Sequence, residues 1–217
     1  GFRLLSSLGM TEATGGVTIA YPEDSFEVRS TTVGHFMKHA RGVILDIKTG
    51  EELPPMREGE ICISGYQVMK GYYKQPELTS KTIDEQGRLH TGDMGYIDNE
   101  GNLHVTGRIK ELIIRGGENI SPLQIESCLL NHDRRIERAK VIGVPDEHYG
   151  EEICACVILA PGETMSEEEV REIARKNLAA YKVPKYVLFF DAFPTNTQGK
   201  VIASELKKAA LSRIKGH

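Results

Sequence analysis

The sequence predicts an α+β protein with a strand-rich, barrel-like first region and a small α+β second domain built on a three-stranded core sheet. Residues 1–107 are rich in glycine and in short alternating stretches, which are typical of strands joined by tight turns. After this region, short apolar runs alternate with amphipathic segments of helical period. No proline-rich linker separates the two patterns. We therefore predict domains at 1–107 and 108–217, with a short connection near Arg108–Lys110.

The first region contains two clear strand patterns and one helix pattern. Ile61–Ser64 is bounded by glycines, and Leu103–Thr106 follows the turn Asp98–Gly101. A helix is predicted at Pro76–Thr82, because proline is favoured in the first turn of a helix.

The second region contains alternating strand and helix patterns. Ser121-Pro122 is typical of an N-cap followed by the first helical residue, and Ser166-x-x-Glu169 has the form of a capping box. Apolar residues of the last segment recur at helical spacing. In chain order, the predicted elements are a strand at Leu112–Arg115, a helix from Pro122 to about Asn131, strands at Ala139–Val144 and Glu152–Leu159, a helix after Ser166 to about Leu178, a strand at Lys185–Phe190 and a helix at Ala203–Ile214.

Composition excludes several classes of function. The chain has 27 Lys and Arg against 31 Asp and Glu, a net charge of −4, so a broadly basic nucleic-acid-binding surface is not expected. The longest apolar runs, such as Val187–Phe190, are far shorter than the roughly 18 residues that span a bilayer. The first residues lack a signal-peptide pattern.

The 4 cysteines form no Cys-x-x-Cys, so we expect buried, reduced thiols and a cytoplasmic location.

Four polar clusters interrupt these elements. Gly9-Met10-Thr11-Glu12 suits a phosphate and metal contact, because glycine lets backbone amides approach an anion and a carboxylate can hold Mg²⁺. A solvated turn is the alternative. His90-Thr-Gly-Asp93 places a loop carboxylate where it could accept the hydroxyls of a ribose, or form an ordinary Asx-turn.

The other two clusters lie in the second region. Gly116-Gly117, between a strand and a helix N-terminus, allows close backbone contact with a ligand, and a tight connection is the alternative. Thr195-Asn-Thr-Gln-Gly-Lys200 ends in a Gly-Lys pair without the remaining residues of a Walker A motif. A lysine on such a loop is usually solvated.

The order of these four clusters resembles the adenylate-forming (AMP-binding) superfamily, and in particular the C-terminal part of a fatty or medium-chain acyl-CoA synthetase. Supporting segments are Gly59–Gly65, Val68–Tyr73, Arg115–Pro122 and Gly150–Cys156. The resemblance covers essentially the whole chain. It implies that residues 1–107 are the barrel-like end of a large AMP-binding domain and that residues 108–217 are its mobile C-terminal domain.

The resemblance also implies a reaction and its residues. A carboxylic acid attacks the α-phosphate of ATP·Mg²⁺ to give acyl-AMP and pyrophosphate, and the thiol of CoA then displaces AMP. The implied roles are nucleotide contact by Gly9, Met10 and Thr11, Mg²⁺ binding by Glu12, ribose binding by Asp93 and Arg108, a domain hinge at Lys110, a pantetheine path along Gly116, Gly117, Glu118 and Asn119, and charge stabilisation during adenylation by Lys200.

Two departures from the family pattern limit these expectations. The Ser/Thr/Gly-rich phosphate loop that precedes Gly9 in the family does not occur in this sequence, and Leu8 stands where an aromatic residue usually stacks on adenine. We therefore expect the chain to be the C-terminal part of a longer enzyme and to be inactive alone. Acyl transfer to a carrier-protein phosphopantetheine and a non-catalytic binding module are the alternatives.

Overall fold

A computed structural model describes residues 2–215, and the chain divides into two compact units between Lys110 and Glu111. Each unit is described separately. Across residues 2–215, the helices are all too short or too polar to cross a membrane.

The first unit is built mainly of antiparallel strands. Four strands form a sheet in the order β5-β6-β7-β8, and two further pairs, β1 with β2 and β3 with β4, form small sheets. The elements are β1 (Gly9–Met10), β2 (Gly15–Gly16), β3 (Thr18–Ile19), α1 (Phe26–Thr31), β4 (His35–Phe36), β5 (Arg41–Leu45), β6 (Gly59–Ser64), α2 (Pro76–Thr82), β7 (Leu89–Ile97) and β8 (Leu103–Arg108), with a one-turn 3-10 helix at Thr11–Ala13.

The sheet of the first unit is open, which corrects the barrel-like expectation for the described residues. Its two outer strands, β5 and β8, do not pair with each other in the sheet order. A sheet closes into a barrel only when it has enough strands, at a fixed tilt and stagger, for the first strand to pair with the last. The apolar face instead packs against the β1–β2 segment in one core formed by Ala13, Val17, Ile44, Ile61, Ile63, Leu89 and Leu103.

A bulge interrupts the pairing of β6 with β7. Cys62 lies opposite His90, and Glu60 lies opposite Met94, so three residues of β7 span the distance that Ile61 alone spans on β6. Asp93 therefore lies on a bulged strand and not in the loop predicted from the sequence. Bulges bend a strand and change the direction of its side chains, and they are frequent beside functional sites.

The second unit is a five-stranded sheet with helices on its faces, where the sequence predicted a core sheet of three strands. The order is β10-β9-β12-β11, and β13 pairs in parallel with β12. Strand β9, which matches the predicted strand at Leu112–Arg115, and strand β10, which was not predicted, form a short hairpin that joins the sheet at the single register pair Arg115–Gly150. The elements are β9 (Ile113–Arg115), β10 (Glu118–Ile120), α3 (Pro122–His132), β11 (Ile136–Asp146), β12 (Gly150–Leu159), α4 (Glu167–Asn177), β13 (Tyr186–Phe189) and α5 (Ala203–Ile214).

Strand β12 is buried on both faces and separates two cores. Ile153, Ala155 and Val157 pack with α3 and α4, and the alternate residues Cys154, Cys156 and Ile158 pack with α5. Successive side chains of a strand point to opposite faces, which accounts for the division.

Of the two predicted N-terminal caps, the one of α4 is formed and the one of α3 is not. The capping box at Ser166 is formed in both directions with Glu169, and α4 begins at the next residue. Helix α3 begins at Pro122 as predicted, but the Ser121 side chain makes no capping hydrogen bond. Proline at the first helical position needs no backbone donor, so α3 starts without that cap.

Candidate functional site

The segment from Gly9 to Glu12 forms a tight hairpin followed by one helical turn. Gly9 pairs with Gly16, and a Cβ atom at Gly9 would lie only 2.6 Å from the Gly15 carbonyl oxygen. Any side chain there would therefore force the two strands apart. Thr14 closes the turn with a left-handed φ of 54°. The hairpin presents Thr11 to solvent and keeps Glu12 half-buried.

Glu12 is held from the segment that follows β6. Its backbone carbonyl accepts a hydrogen bond from the Met69 amide at 2.8 Å. The Tyr72 hydroxyl donates to Glu12 Oε1 at 2.9 Å, and this bond to a carboxylate, together with burial, raises the pKa of Tyr72. Because a carboxylate has two oxygens, this bond leaves Oε2 available for a cation. Tyr72 was not predicted as a site residue, although it lies in one of the segments that carry the family resemblance.

Asp93 and Arg108 form an ion pair across β7 and β8. The two residues lie opposite each other in register, and Arg108 Nε is 2.9 Å from Asp93 Oδ1. The side chain of Asp93 is 7% exposed and that of Arg108 is 65% exposed. A buried carboxylate thus holds a guanidinium whose side chain is mostly exposed. This is the arrangement needed to offer both acceptors and donors to a polar ligand.

The bulge that carries Asp93 is fixed by side-chain hydrogen bonds. The Thr91 hydroxyl donates to the Ile61 carbonyl at 2.7 Å and accepts from the Asp93 amide at 3.0 Å. Glu60 Oε1 accepts from the Gly92 amide at 3.1 Å, and Gly92 has a φ of 71°, which favours glycine. The position of Asp93 is therefore set by three hydrogen bonds within and between β6 and β7.

The paired glycines lie in a two-residue hairpin turn and not directly before a helix as the sequence suggested. Gly116 and Gly117 have φ values of 59° and 87°, the signs required by a type I′ turn between β9 and β10. Gly116 donates to the Tyr149 carbonyl at 2.9 Å. The following residues, Glu118 and Asn119, are exposed on β10.

Arg115 fixes this hairpin to the start of β12. Its Nε lies 2.8 Å from Oε1 of Glu152, whose side chain is 2% exposed, and its guanidinium lies 4.4 Å from the centre of the Tyr149 ring. The Ile114 amide also donates to Glu151 at 3.1 Å. The glycine turn therefore projects from a rigid base while its own backbone stays exposed.

Lys200 ends a loop that hydrogen-bonds to itself. The Asn196 amide donates to the Lys200 carbonyl at 2.9 Å, and Asn196 Oδ1 accepts from the Lys200 amide at 3.0 Å. Thr195 and Val201 form an isolated β-bridge at its base. The Lys200 side chain is exposed. The loop thus presents a cation whose backbone is fixed by its own turn.

Lys110 lies in a one-turn 3-10 helix, Ile109–Glu111, and is exposed. The division between the two compact units follows it directly. Its role as a hinge remains a prediction.

The predicted site residues fall in both units. Gly9, Met10, Thr11, Glu12, Asp93 and Arg108 belong to the first unit, and Gly116, Gly117, Glu118, Asn119 and Lys200 belong to the second. Within the first unit, the structure pairs Asp93 with Arg108 and joins Glu12 to Tyr72.

Two family models match the chain. One, described as AMP-binding enzyme, matches residues 1–73, and one described as AMP-binding enzyme C-terminal domain matches residues 124–200. The chain is 36% identical over 213 residues to the medium-chain acyl-CoA ligase ACSF2, mitochondrial, of Rattus norvegicus, which covers 98% of this chain and 34% of the relative. It is 41% identical over 207 residues to 4-coumarate–CoA ligase 2 of Nicotiana tabacum, covering 94% of this chain and 38% of the relative. The chain therefore spans little more than a third of the length of these relatives.

Solved structures agree with these sequence matches. The ATP-bound structure of MatB from Rhodopseudomonas palustris superposes with a TM-score of 0.87 at 36% identity, over 96% of this chain and 41% of that chain. The amide bond synthetase McbA from Marinactinospora thermotolerans gives a TM-score of 0.87 at 32% identity, over 96% of this chain and 42% of that chain.

Proposed function

The chain belongs to the superfamily of adenylate-forming, AMP-binding enzymes, and on that premise we propose that it takes part in ATP-dependent activation of a carboxylic acid as an acyl-adenylate, followed by transfer of the acyl group to CoA. The observation that carries the proposal is the pair of buried Asp93 and exposed Arg108. A carboxylate accepts from ribose hydroxyls, and the guanidinium beside it donates, so the pair suits a nucleotide sugar.

The Gly9–Glu12 hairpin is proposed to contact the phosphates. Gly9 and Met10 bring backbone close to the nucleotide, and the exposed hydroxyl of Thr11 donates to a phosphate oxygen. Glu12 fits a Mg²⁺ ligand, because its carboxylate is half-buried, is oriented by Tyr72 through Oε1 and keeps Oε2 for a hard cation. Bound Mg²⁺ would neutralise charge on the phosphates of ATP.

Lys200 is proposed to act in the first half-reaction. A carboxylate oxygen of the acid attacks the α-phosphorus, the bond to the bridging oxygen breaks, and pyrophosphate leaves. Both reactants are anions, so an ammonium placed between them orients the attack and stabilises the charge that develops. The exposed side chain of Lys200, on its self-bonded loop, suits that role.

The glycine hairpin is proposed to act in the second half-reaction. The sulfur of CoA attacks the acyl carbonyl carbon, the bond to the AMP oxygen breaks, and AMP leaves. Residues Gly116–Asn119 would line the path of the pantetheine arm, because their backbone is exposed on a rigid base. A swing about Lys110 would exchange the Lys200 loop for this hairpin between the two steps.

A second candidate keeps the same activation step and changes the acceptor to an amine. The likeness to the amide bond synthetase McbA favours it, since that structure matches this chain as well as MatB does by TM-score. In that case the amine nitrogen, and not the sulfur of CoA, attacks the acyl carbonyl.

The test uses the protein expressed from the complete reading frame that encodes this chain. ATP–pyrophosphate exchange is measured across a panel of carboxylic acids, and synthetic acyl-AMP is then offered with CoA, with a phosphopantetheinylated carrier or with an amine. Acid-dependent exchange that is lost in Asp93→Asn supports activation, and the second assay identifies the acceptor. A folded protein that binds ATP but shows no exchange with any acid would instead be a non-catalytic binding module.

A further inference from the structure

Three side chains with different metal-ligand atoms converge beside the β6–β7 bulge. Glu60, Cys62 and His90 each offer one ligand atom, and these atoms all lie within 4.8 Å of one another. Glu60 and Cys62 are two apart on β6 and share a face, while His90 is the register partner of Cys62 on β7. The convergence is therefore a property of the strand pairing and does not depend on a mobile loop.

The separations are close to those of a tetrahedral transition-metal site. Cys62 Sγ is 3.5 Å from His90 Nδ1. Zinc–sulfur bonds of about 2.3 Å and zinc–nitrogen bonds of about 2.0 Å at a tetrahedral angle separate the two ligand atoms by about 3.5 Å. Glu60 Oε2 is 2.8 Å from the same nitrogen, a hydrogen-bond distance that would lengthen by about 0.5 Å on metal binding.

The second nitrogen of His90 faces another carboxylate. His90 Nε2 lies 3.6 Å from Asp84 Oδ2, and Asp84 is itself fixed by the Nε of Arg88 at 2.7 Å. In metal sites, the histidine nitrogen that does not bind the ion usually donates its proton to such a carboxylate. An ion would displace the proton that Nδ1 donates to Glu60, and Asp84 would accept from Nε2 after closing from 3.6 Å to hydrogen-bond distance.

Two of the three side chains of the cluster are partly exposed. Cys62 is fully buried, whereas the side chain of His90 is 31% exposed and that of Glu60 is 15% exposed. An ion could enter over His90 and Glu60 and reach the sulfur from outside. Three protein ligands would then leave the fourth tetrahedral position to water.

We propose that Glu60, Cys62 and His90 bind a zinc-class divalent ion, with Asp84 orienting the histidine. A thiolate, an imidazole and one carboxylate form a mixed ligand set that suits Zn²⁺ or Co²⁺ and does not suit Mg²⁺ or Ca²⁺, which prefer oxygen. The site is distinct from the proposed Mg²⁺ ligand Glu12 and does not depend on the proposed acid activation. Glu60 also accepts a hydrogen bond from the Gly92 amide. An ion bound to Glu60 would therefore be connected, through this side chain, to the bulge that carries Asp93.

The experiment is a Co²⁺ titration of the purified 217-residue chain, followed by displacement with Zn²⁺. We expect a 1:1 complex with a thiolate-to-cobalt charge-transfer band and intense tetrahedral ligand-field bands, both lost when Zn²⁺ is added. Cys62→Ser should remove the charge-transfer band, and His90→Gln should weaken Co²⁺ binding at least tenfold. Matched controls are Cys128→Ser, another buried cysteine, and His104→Gln, a histidine of the same sheet that is bonded to Asp98.

Circular dichroism and thermal unfolding of each variant separate loss of the site from loss of the fold. Zn²⁺ should raise the melting temperature of the wild type and of both controls, and leave that of a folded Cys62→Ser variant unchanged. An unchanged charge-transfer band in Cys62→Ser would overturn the proposal. So would octahedral, thiolate-free Co²⁺ spectra in the wild type, or a melting temperature of the wild type that does not respond to Zn²⁺.

Discussion

Tyr72 and Glu12 are joined by a 2.9 Å hydrogen bond from the phenol to the carboxylate, although they lie far apart in the sequence. The bond connects the turn proposed to contact ATP·Mg²⁺ with the segment that follows β6. It also places a neutral donor beside the proposed metal ligand, so that Glu12 is oriented without being neutralised by a cation.

Tyr72→Phe should raise the KM for ATP·Mg²⁺ of the complete protein by about tenfold, since a hydrogen bond to a charged group is worth about 1.5 kcal/mol or more. The value of kcat should change much less, because the ring and its packing remain. Tyr73→Phe is the matched control, as Tyr73 is exposed. Initial rates at varied Mg²⁺ and ATP measure the effect, and equal changes in the two variants would contradict the role given to Tyr72.

Asp93→Asn should weaken both half-reactions, because the ribose stays bound through both. The variant removes the partner of Arg108 and a charged acceptor, so KM for ATP should rise roughly 10- to 100-fold. Turnover of synthetic acyl-AMP should fall in parallel. Asp98→Asn, in the turn that joins β7 to β8 and bonded to Asn102 and His104, serves as the control for general damage to the sheet. Normal use of acyl-AMP by a folded Asp93→Asn variant would exclude ribose binding.

Lys200→Ala should affect the two half-reactions unequally. Removing a cation that stabilises the adenylation transition state costs roughly 100-fold in rate or more. The thioester step, assayed with synthetic acyl-AMP and CoA, should keep most of its rate. Lys208→Ala, an exposed lysine on α5, should leave both steps unchanged. Parallel losses in the two assays would show that Lys200 does not act in one step alone.

Lys110→Pro should produce the opposite asymmetry. Proline fixes φ near −65° and removes a backbone donor, so a swing about this residue would be blocked. Pyrophosphate exchange should persist while CoA-dependent turnover collapses. Lys110→Ala removes the same charge without fixing the backbone and should retain both activities. If Lys110→Pro turns over normally, the hinge lies elsewhere.

The buried thiols should react slowly with an anionic disulfide reagent in the folded, metal-free chain at pH 8. Burial raises the pKa of Cys62 to about 12, and the contact with Cys154 together with burial raises the pKa of Cys156. Raised thiol pKa values mean that the folded state favours the neutral thiols. Their contribution to the free energy of unfolding is fully present below the unfolded thiol pKa of about 8.5, and it is lost as pH rises through the thiol pKa of the folded protein. Stability in urea should therefore fall from pH 8.5 towards pH 12. Rapid reaction of all 4 cysteines without denaturant would contradict this.

Local sequence signals were sufficient for several helices. Helices α2 and α5 have the predicted bounds Pro76–Thr82 and Ala203–Ile214, and the capping box at Ser166 fixes the start of α4. These signals act within one or two turns of the chain. The two-residue strands β1 to β4 have too few residues to show a periodic pattern, and they form only because a partner segment is present.

The site could be predicted only in part for a related reason. A linear motif records the order of residues along the chain. That order is sufficient to identify Thr11, Glu12, Asp93 and Arg108. Their partners were not: the contact of Tyr72 with Glu12 depends on the fold of the intervening chain. The cluster of Glu60, Cys62 and His90 depends on the bulge, because the register pairs Cys62 with His90 only when three residues of β7 oppose one of β6. Gly92 is a local sequence signal for a bulge, but a single glycine does not specify the register of the two strands.

The double burial of β12 restricts how a gene encoding this domain can change over evolutionary time. Ile153 and Cys154 belong to different cores, so inserting or deleting a single codon within the strand would exchange the residues that face the two helical layers. Replacing one apolar residue by another of similar volume is tolerated far better. Descendants of this sequence can therefore accumulate substitutions in Gly150–Leu159, while gains and losses of codons accumulate in the connections on either side.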